Sequence, residues 1–394
     1  MTSTTLQSVT AGSGNRSPKT VTITNPEDAA RVLRDPRFST AARAQGLFEK
    51  TPNGWTAYPY LSAFTKARLG LLDGEDHDQL RRTLAPVFSA VCINKLRPRI
   101  AAVVLQRLKH LQKRCAFDGL QDLAIPVSAN LLCDLLNIPS DAWPRIEACI
   151  EDQSRFYIGD VGFETNEAVA RKAETSASDF AAEFSTWGRG PIEDGRGALL
   201  RELQALGRYQ SDRNQIELAG VCLNVITAGH WPMISAITAV LHVLLSSPDC
   251  QALQAAERIS DPNLIDEALR CATPARTVGR IATCAARLGS EPIAAGDLTI
   301  VSLAALNADP VRFPNPDLLN PTRRHINHAS FGLGMHYCLG ARLARVILQE
   351  VIAGLCDLHP YLSLAADAQE LPTTGGLCLV SRLPLVSERG THGE

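Results

Sequence analysis

The 394 residues contain no CxxC pair, no internal repeat, no linker-like stretch and no cluster of basic residues. Each absence excludes something. Eleven cysteines, an odd number scattered from Cys92 to Cys378 without paired spacing, argue against a zinc ribbon or a disulfide framework and read as reduced cytosolic thiols. A formal net charge of -2 offers neither a basic face for nucleic acid nor an acidic tail. Met1 to Lys19 lacks the apolar core of a signal peptide and, rich in Ser, Thr and Gly, reads as a disordered leader. The length would permit two or three domains, but with no linker residues 20–394 read as one.

Charge is missing from one stretch in particular. Leu218 to Pro248 holds 31 residues without Asp, Glu, Lys or Arg, long enough to cross a bilayer. It carries Asn224, His230, Pro232, Ser235 and His242, however, and no Lys/Arg cluster flanks it. The pattern predicts a helix apolar on every side because it is buried on every side of a large protein, with no membrane involved. Further helical patterns fall near 77–90, 95–115, 125–137, 142–156, 166–187, 262–271 and 341–357, and Asn25-Pro26 opens another as N-cap and first residue. Strand signals are short: 20–24, 277–283, 298–302 and 377–385. Ala41 to Thr65 reads as a long loop of the kind that serves as a lid. The fold class is mainly α with a small β region.

The densest chemical signal is Phe331-Gly-Leu-Gly-Met-His-Tyr-Cys-Leu-Gly340, followed by a helix from Ala341. A lone cysteine is ordinarily a small buried residue, with a thiol pKa near ~8.5. Here glycines at 332, 334 and 340 allow a tight turn that aims N–H groups at Cys338, and the helix start adds its positive dipole end. These features favour a thiolate, the form that ligates iron.

The segment matches Phe-Gly-x-Gly-x-His-x-Cys-x-Gly at every fixed position, and through it the chain resembles the cytochrome P-450 superfamily of haem-thiolate enzymes. The resemblance implies a P-450 fold with a long buried helix over the haem, haem b as cofactor, and Cys338 as the iron's axial ligand. It also assigns roles to other residues. Glu267-Ala-Leu-Arg270 resembles the family's Glu-x-x-Arg helix, whose members share a face and would meet Arg323 in a structural cluster. His77 and Arg81, Arg280, and His328 resemble the family's ligands for the two haem propionates, and His336 is a further candidate. Phe331, Gly332 and Gly340 belong to the loop that cradles the cofactor. Asp35-Pro-Arg-Phe-Ser39 and Asn307-Ala-Asp-Pro310 extend the likeness from about Val21 to Leu385.

The chain departs from that pattern at Ala228-Gly229-His230-Trp231-Pro232. Typical members place an acid and a threonine after Ala-Gly-His, a pair that relays protons during oxygen activation. Trp231 and Pro232 can relay none. Pro232 also lacks an N–H and should leave the Ala228 carbonyl free and kink the helix. That carbonyl could hold a water in place of the lost alcohol. Three chemistries stay open: oxygen insertion with the substrate's own polar group as relay; double abstraction from an aromatic or N–H substrate followed by radical coupling; and peroxide use. The last would be favoured by a carboxylate-anchoring arginine near Pro232, and none is visible. A haem protein without turnover is the alternative from another class.

Only 34 residues precede Asp35, fewer than members usually carry, so the substrate channel is expected to be more open on that side. With no flavin or iron–sulfur region, the resemblance implies a separate ferredoxin and ferredoxin reductase, docking beside Cys338 on Arg81, Arg82, Arg342 and Arg345. A monomer is expected. By analogy the pocket would be lined by Trp55 to Phe64, Phe156 and Tyr157, the 228–235 turn, Ala275 to Val278, and Thr373 to Leu377.

Overall fold

The computed structural model describes residues 7–8, 17–50, 54–158, 167–188, 195–206, 212–249, 260–324, 326–368, 370–372 and 376–387. Helices carry most of this chain, and short strands gather at one margin. The uncharged segment forms a helix over Asp212–Leu245 that contacts the helices Pro59–Lys66, Ile125–Leu135, Glu167–Trp187, Pro262–Ala272 and Ala341–Leu358. By length and composition alone it would suit a membrane. Its actual neighbours are the other helices of the fold, and Leu218, Val221, Cys222, Ile226, Ile234, Ile237 and Val240 are all fully buried in the main core. Enclosure explains why no charged side chain occurs from Leu218 to the end of this helix.

Strands from distant parts of the chain share one sheet. Lys19–Ile23 pairs in parallel with Leu298–Ser302, which pairs antiparallel with Thr277–Ala282, and Phe38–Ser39 closes the edge. Asn25 caps the helix Pro26–Val32 as expected, its side-chain oxygen accepting from the N–H groups of Glu27 and Asp28 at 2.9 and 3.2 Å.

Three expectations need correction. Ala41 to Thr65 is not a loop: helices occupy Ala41–Lys50, Gly54–Ala57 and Pro59–Lys66. The last of these forms because Pro59 stands at its first turn and Leu61, Phe64 and Thr65 share a buried face. The reading of 1–19 as a disordered leader fails at Gln7–Ser8, a two-residue strand paired with Lys19 and Thr20; residues 1–6 and 9–16 of that stretch lie outside the described residues. The 377–385 strand is reduced to an isolated bridge from Leu377 to Ala275 and a strand at Pro384–Ser387.

Candidate active site

The Cys338 loop is held by its own backbone. The Cys338 N–H donates to the Phe331 carbonyl at 2.9 Å, Gly332 N–H to Ala329 O at 2.8 Å, and Tyr337 N–H to Gly334 O at 3.1 Å. Gly332 and Gly334 both have left-handed φ, at 74° and 75°, where a side chain is strained. At Gly334 space excludes a side chain as well, because a Cβ there would overlap the carbonyl oxygen of Leu33. The helix Ala341–Leu358 starts directly after the loop. Cys338 keeps accessible surface although protein surrounds its sulfur on most sides. Burial pushes its thiol up, while the Gly340 N–H bond to sulfur and the charges of Arg81 and Arg345 pull the other way. The expected bias toward the anion is therefore present but, on the protein groups alone, burial outweighs it. A bound iron would supply the remaining pull.

Beneath the loop the expected structural cluster is assembled. Glu267 is fully buried and accepts from Arg270 Nη2 at 2.8 Å, Arg270 Nε at 2.9 Å and Arg323 Nε at 2.9 Å. Arg270 also donates to the carbonyls of Asn307, Pro316 and Leu318, and the Phe313 ring receives the cationic faces of Arg270, Arg312 and Arg323. Asn307, for which the sequence suggested no role, ties this cluster to the loop: its amide donates to Thr273 Oγ1 and Ser330 Oγ, and its oxygen accepts the Ala329 N–H at 2.6 Å.

On the other side of the loop lie basic groups with unfinished hydrogen bonding. His77 has no exposure; its Nδ1 meets Asp78 at 3.0 Å and its Nε2 has no partner. Arg81 Nη2 donates to the Tyr337 carbonyl at 2.9 Å, tying the helix Gly74–Leu84 to the cysteine loop, and its buried Nη1 has no partner. Arg280 is buried, donates to the carbonyl of Gly279 at 2.8 Å, and pairs with no carboxylate among the described residues. Burial holds its guanidinium below its ordinary range. His336 packs tilted against His77 with ring centroids 4.3 Å apart and sits 3.6 Å from Asp73. Asp73 was missed by the sequence reading. Burial works to raise its carboxyl, but donation from His336, Ser39, Ala41 and Thr40 leaves it well below the usual range.

A buried donor left unpaired costs about 1–3 kcal/mol, so a group of this kind is expensive unless something completes it. Haem b brings two carboxylates that need cationic donors and an iron that takes a thiolate. His77 Nε2, Arg81 Nη1, the Arg280 guanidinium and Cys338 Sγ fit that group. Two candidates differ in their surroundings. His328 has both nitrogens engaged elsewhere, Nδ1 accepting from Ser330 N at 3.1 Å and Nε2 lying 3.4 Å from Asp266 and 3.5 Å from Arg345. His336, not His328, stands with His77 and Arg280.

The long helix presents Ala228 and Trp231 to open surface, Trp231 at 41% exposure, while its neighbours in the core are covered. Gly229 and Pro232 are half-buried. Trp231 is therefore partly exposed and does not pack in the core. Helix runs from Asp212 to Leu245 through Pro232, and residue 232 gives Ala228 O no N–H. His230 points the other way. It is fully buried between the rings of Trp143 and Trp231, bonds Ser128 Oγ through Nδ1 at 3.0 Å, and leaves Nε2 without a partner.

Other expected pocket and docking residues are redistributed. Phe156 and Tyr157 pack in a closed cluster with Tyr58, Leu61, Ala170 and Ala173, so they do not form an open roof. The side chain of Trp55 and residues 373–375 lie outside the described residues. Of the four arginines expected to dock a redox partner, Arg81 is turned inward and Arg345 pairs with Asp266 at 2.6 Å; Arg82 and Arg342 remain exposed, Arg82 against Glu75.

A helical fold with a cysteine loop, a buried Glu–Arg–Arg clamp and a set of unpaired cationic donors defines a haem-thiolate protein. The family model for cytochrome P450 matches residues 262–355. Cytochrome P450 165B3 of Amycolatopsis orientalis is 30% identical over 308 residues, covering 76% of this chain and 72% of that protein. Nocardicin C N-oxygenase of Nocardia uniformis subsp. tsuyamanensis is 29% identical over 372 residues, covering 92% and 88%. The Bacillus subtilis 168 bacillaene polyketide synthase cytochrome P450 PksS shares the fold, with a TM-score of 0.77 at 20% identity over 98% of this chain and 94% of that one. The chain belongs to the cytochrome P450 family, and it is an oxidoreductase of the monooxygenase type whose cofactor is haem b.

Proposed function

We propose that this protein oxidises a small organic substrate of the natural-product kind, dependent on dioxygen, with protons delivered by a water or by the substrate itself. When bound, haem supplies the oxygen-activating chemistry. The chain's own residues would do the rest. Cys338 would hold the iron, with the Gly340 N–H moderating the sulfur's charge. His77, Arg81, Arg280 and His336 would hold the propionates. Trp231 would bound the substrate, and Pro232 leaves the Ala228 carbonyl one hydrogen bond short, a place where a water or a substrate donor can sit. The naming of relatives as an N-oxygenase and as 6-deoxyerythronolide B hydroxylase supports a natural-product substrate. Electrons would come from a separate ferredoxin and its reductase. We further take residues 20–394 as one catalytic domain acting as a cytoplasmic monomer.

The observation that carries this reading is the convergence of unpaired donors at His77 and Arg81 on the Cys338 loop. Reduced protein treated with carbon monoxide should show the red-shifted Soret band of a thiolate-ligated haem, and Cys338→His should abolish it. A wild-type spectrum without that band refutes the assignment. Trp231 and Pro232 also support a second reading, oxidative coupling of an aromatic or N–H substrate without oxygen insertion, which tolerates the missing relay. Product mass and incorporation of labelled oxygen separate the two. Pro232→Thr should raise the fraction of electrons that reach product; unchanged turnover and coupling would show that position 232 does not govern proton delivery. Substrate-dependent electron consumption with product formation would exclude a haem protein without turnover.

A further inference from the structure

Among the described residues, Arg276 is a half-buried guanidinium without an acidic partner. Its side chain hydrogen-bonds the Cys378 thiol. Its backbone is fully engaged: the N–H donates to Gly376 O at 2.9 Å, and its carbonyl accepts from Leu303 at 2.8 Å and Ala304 at 3.2 Å. The position is fixed and the charge is uncommitted.

Two independent features place the segment that carries that charge beside the site. Arg276 continues the extended run into the strand Thr277–Ala282, where alternate side chains share a face, so Arg276 lies on the same side as Arg280. Arg280 is the residue whose charge acts on Asp73 and His336. Four residues of strand put Arg276 about 13 Å further along that face. The segment is also pinned to the long helix. Ser235 Oγ donates to the carbonyls of Pro274 at 3.0 Å and Cys378 at 2.8 Å. Ser235 is one turn beyond Trp231, about 6 Å along the axis, on the same helix face. Arg276 is thus held between the two residues that flank it in space, Pro274 and Cys378, directly past the turn where Trp231 and Pro232 stand.

We propose that Arg276 recognises a carboxylate on the substrate. The proposal deepens the haem-thiolate reading and rests on it. A guanidinium offers paired donors to a carboxylate in a fixed fork, which Lys reproduces only as a point charge. Of the two basic stations on this strand face, Arg280 is turned to the cofactor's carboxylates and Arg276 remains for the substrate's. The sequence shows no anchoring arginine next to Pro232; in the structure Ser235 ties the segment that carries Arg276 to the same helix, three residues beyond Pro232.

The test uses haem-loaded protein and ω-(imidazol-1-yl)alkanoic acids of increasing chain length, each with its primary amide as control. The imidazole nitrogen ligates ferric haem and shifts the Soret band, so binding is read whatever the natural substrate is. At some chain length the acid should bind at least about tenfold more tightly than its amide. That preference should vanish in Arg276→Leu and survive in part in Arg276→Lys, while the amide's Kd stays the same in all three proteins. Equal binding of acid and amide at every length, or a preference that persists in Arg276→Leu, overturns the proposal. An amide Kd that changes along with the acid's also overturns it, since Arg276 would then be holding the fold of the pocket. If plain imidazole produces no Soret shift, the haem reading itself falls.

Discussion

Replacing Glu267 with alanine is the sharpest test of what holds the cysteine loop. Glu267 has no exposure and Arg270 1%, and the carboxylate receives three guanidinium N–H groups and the Asn320 N–H at 3.2 Å. Removing it leaves the Arg270 charge buried without a carboxylate, facing the carbonyls of Asn307, Pro316 and Leu318, the Cys271 sulfur and the Phe313 ring. Deleting one partner of a buried ion pair costs about 3–5 kcal/mol. A domain of ordinary stability has about 5–15 kcal/mol in total. Glu267→Ala should therefore lower the urea midpoint sharply and, at about 4 kcal/mol, shift the folding equilibrium roughly a thousandfold. Arg323→Ala should cost less, about 1–2 kcal/mol, because Arg323 is partly exposed and Glu267 keeps Arg270. The control is the double replacement Glu267→Leu with Arg270→Met. Removing both charges together avoids the orphan and should recover much of the loss. If Glu267→Ala costs less than about 1 kcal/mol with an unchanged urea slope, the clamp is not what secures this region, and the reasoning from burial is wrong.

Gly334→Ala should give little correctly folded haem protein, because both the φ of 75° and the nearby Leu33 carbonyl oppose a Cβ; a normal holoprotein yield would contradict this. Arg81→Leu should speed haem transfer to an apoglobin acceptor by about tenfold, through loss of both the Tyr337 carbonyl bond and a buried donor, with no change expected if Nη1 faces nothing in the holoprotein. Burial pushes His230 down to about 4 from an ordinary 6.5. Between those values the unfolded chain binds a proton that the native state refuses, so stability should fall as pH drops through that window, by up to about 3 kcal/mol. In His230→Phe the acid limb should flatten; superimposable limbs would show that His230 is not the group responsible.

What was legible in the sequence was what lies close together along the chain. The cysteine loop, the Glu267–Arg270 pair and the cap at Asn25 are each contained within a few residues, and their geometry follows from backbone conformation and helix spacing. The helices between Ala41 and Thr65 escape the sequence reading because Gly, Pro and aromatics dilute the periodicity, while the Pro59–Lys66 helix is held by packing against the long helix and the Glu167–Trp187 helix. Asp73 and Asn307 were invisible for a related reason. Each acts on partners far away in sequence, Asp73 on Ser39, Thr40 and His336, and Asn307 on Thr273 and Ser330.

The different surroundings of His328 and His336 show the same limit at finer grain. Both are basic, both lie within eleven residues of Cys338, and nothing in their spacing distinguishes a histidine that faces a cofactor from one that faces the protein. The decision is made by a carboxylate on another element. Asp266, from the helix Pro262–Ala272, takes His328 together with Arg345, whereas Asp73, at the start of the helix Gly74–Leu84, takes His336 and turns it toward His77. The acid therefore selects the base. If so, Asp73→Asn should weaken haem retention more than Asp266→Asn, although Asp266 makes the shorter ion pair with an arginine. The two variants, compared by the rate of haem loss at equal thermal stability, separate orientation of the ligand from general support of the loop; equal rates would mean that neither carboxylate orients a cofactor ligand.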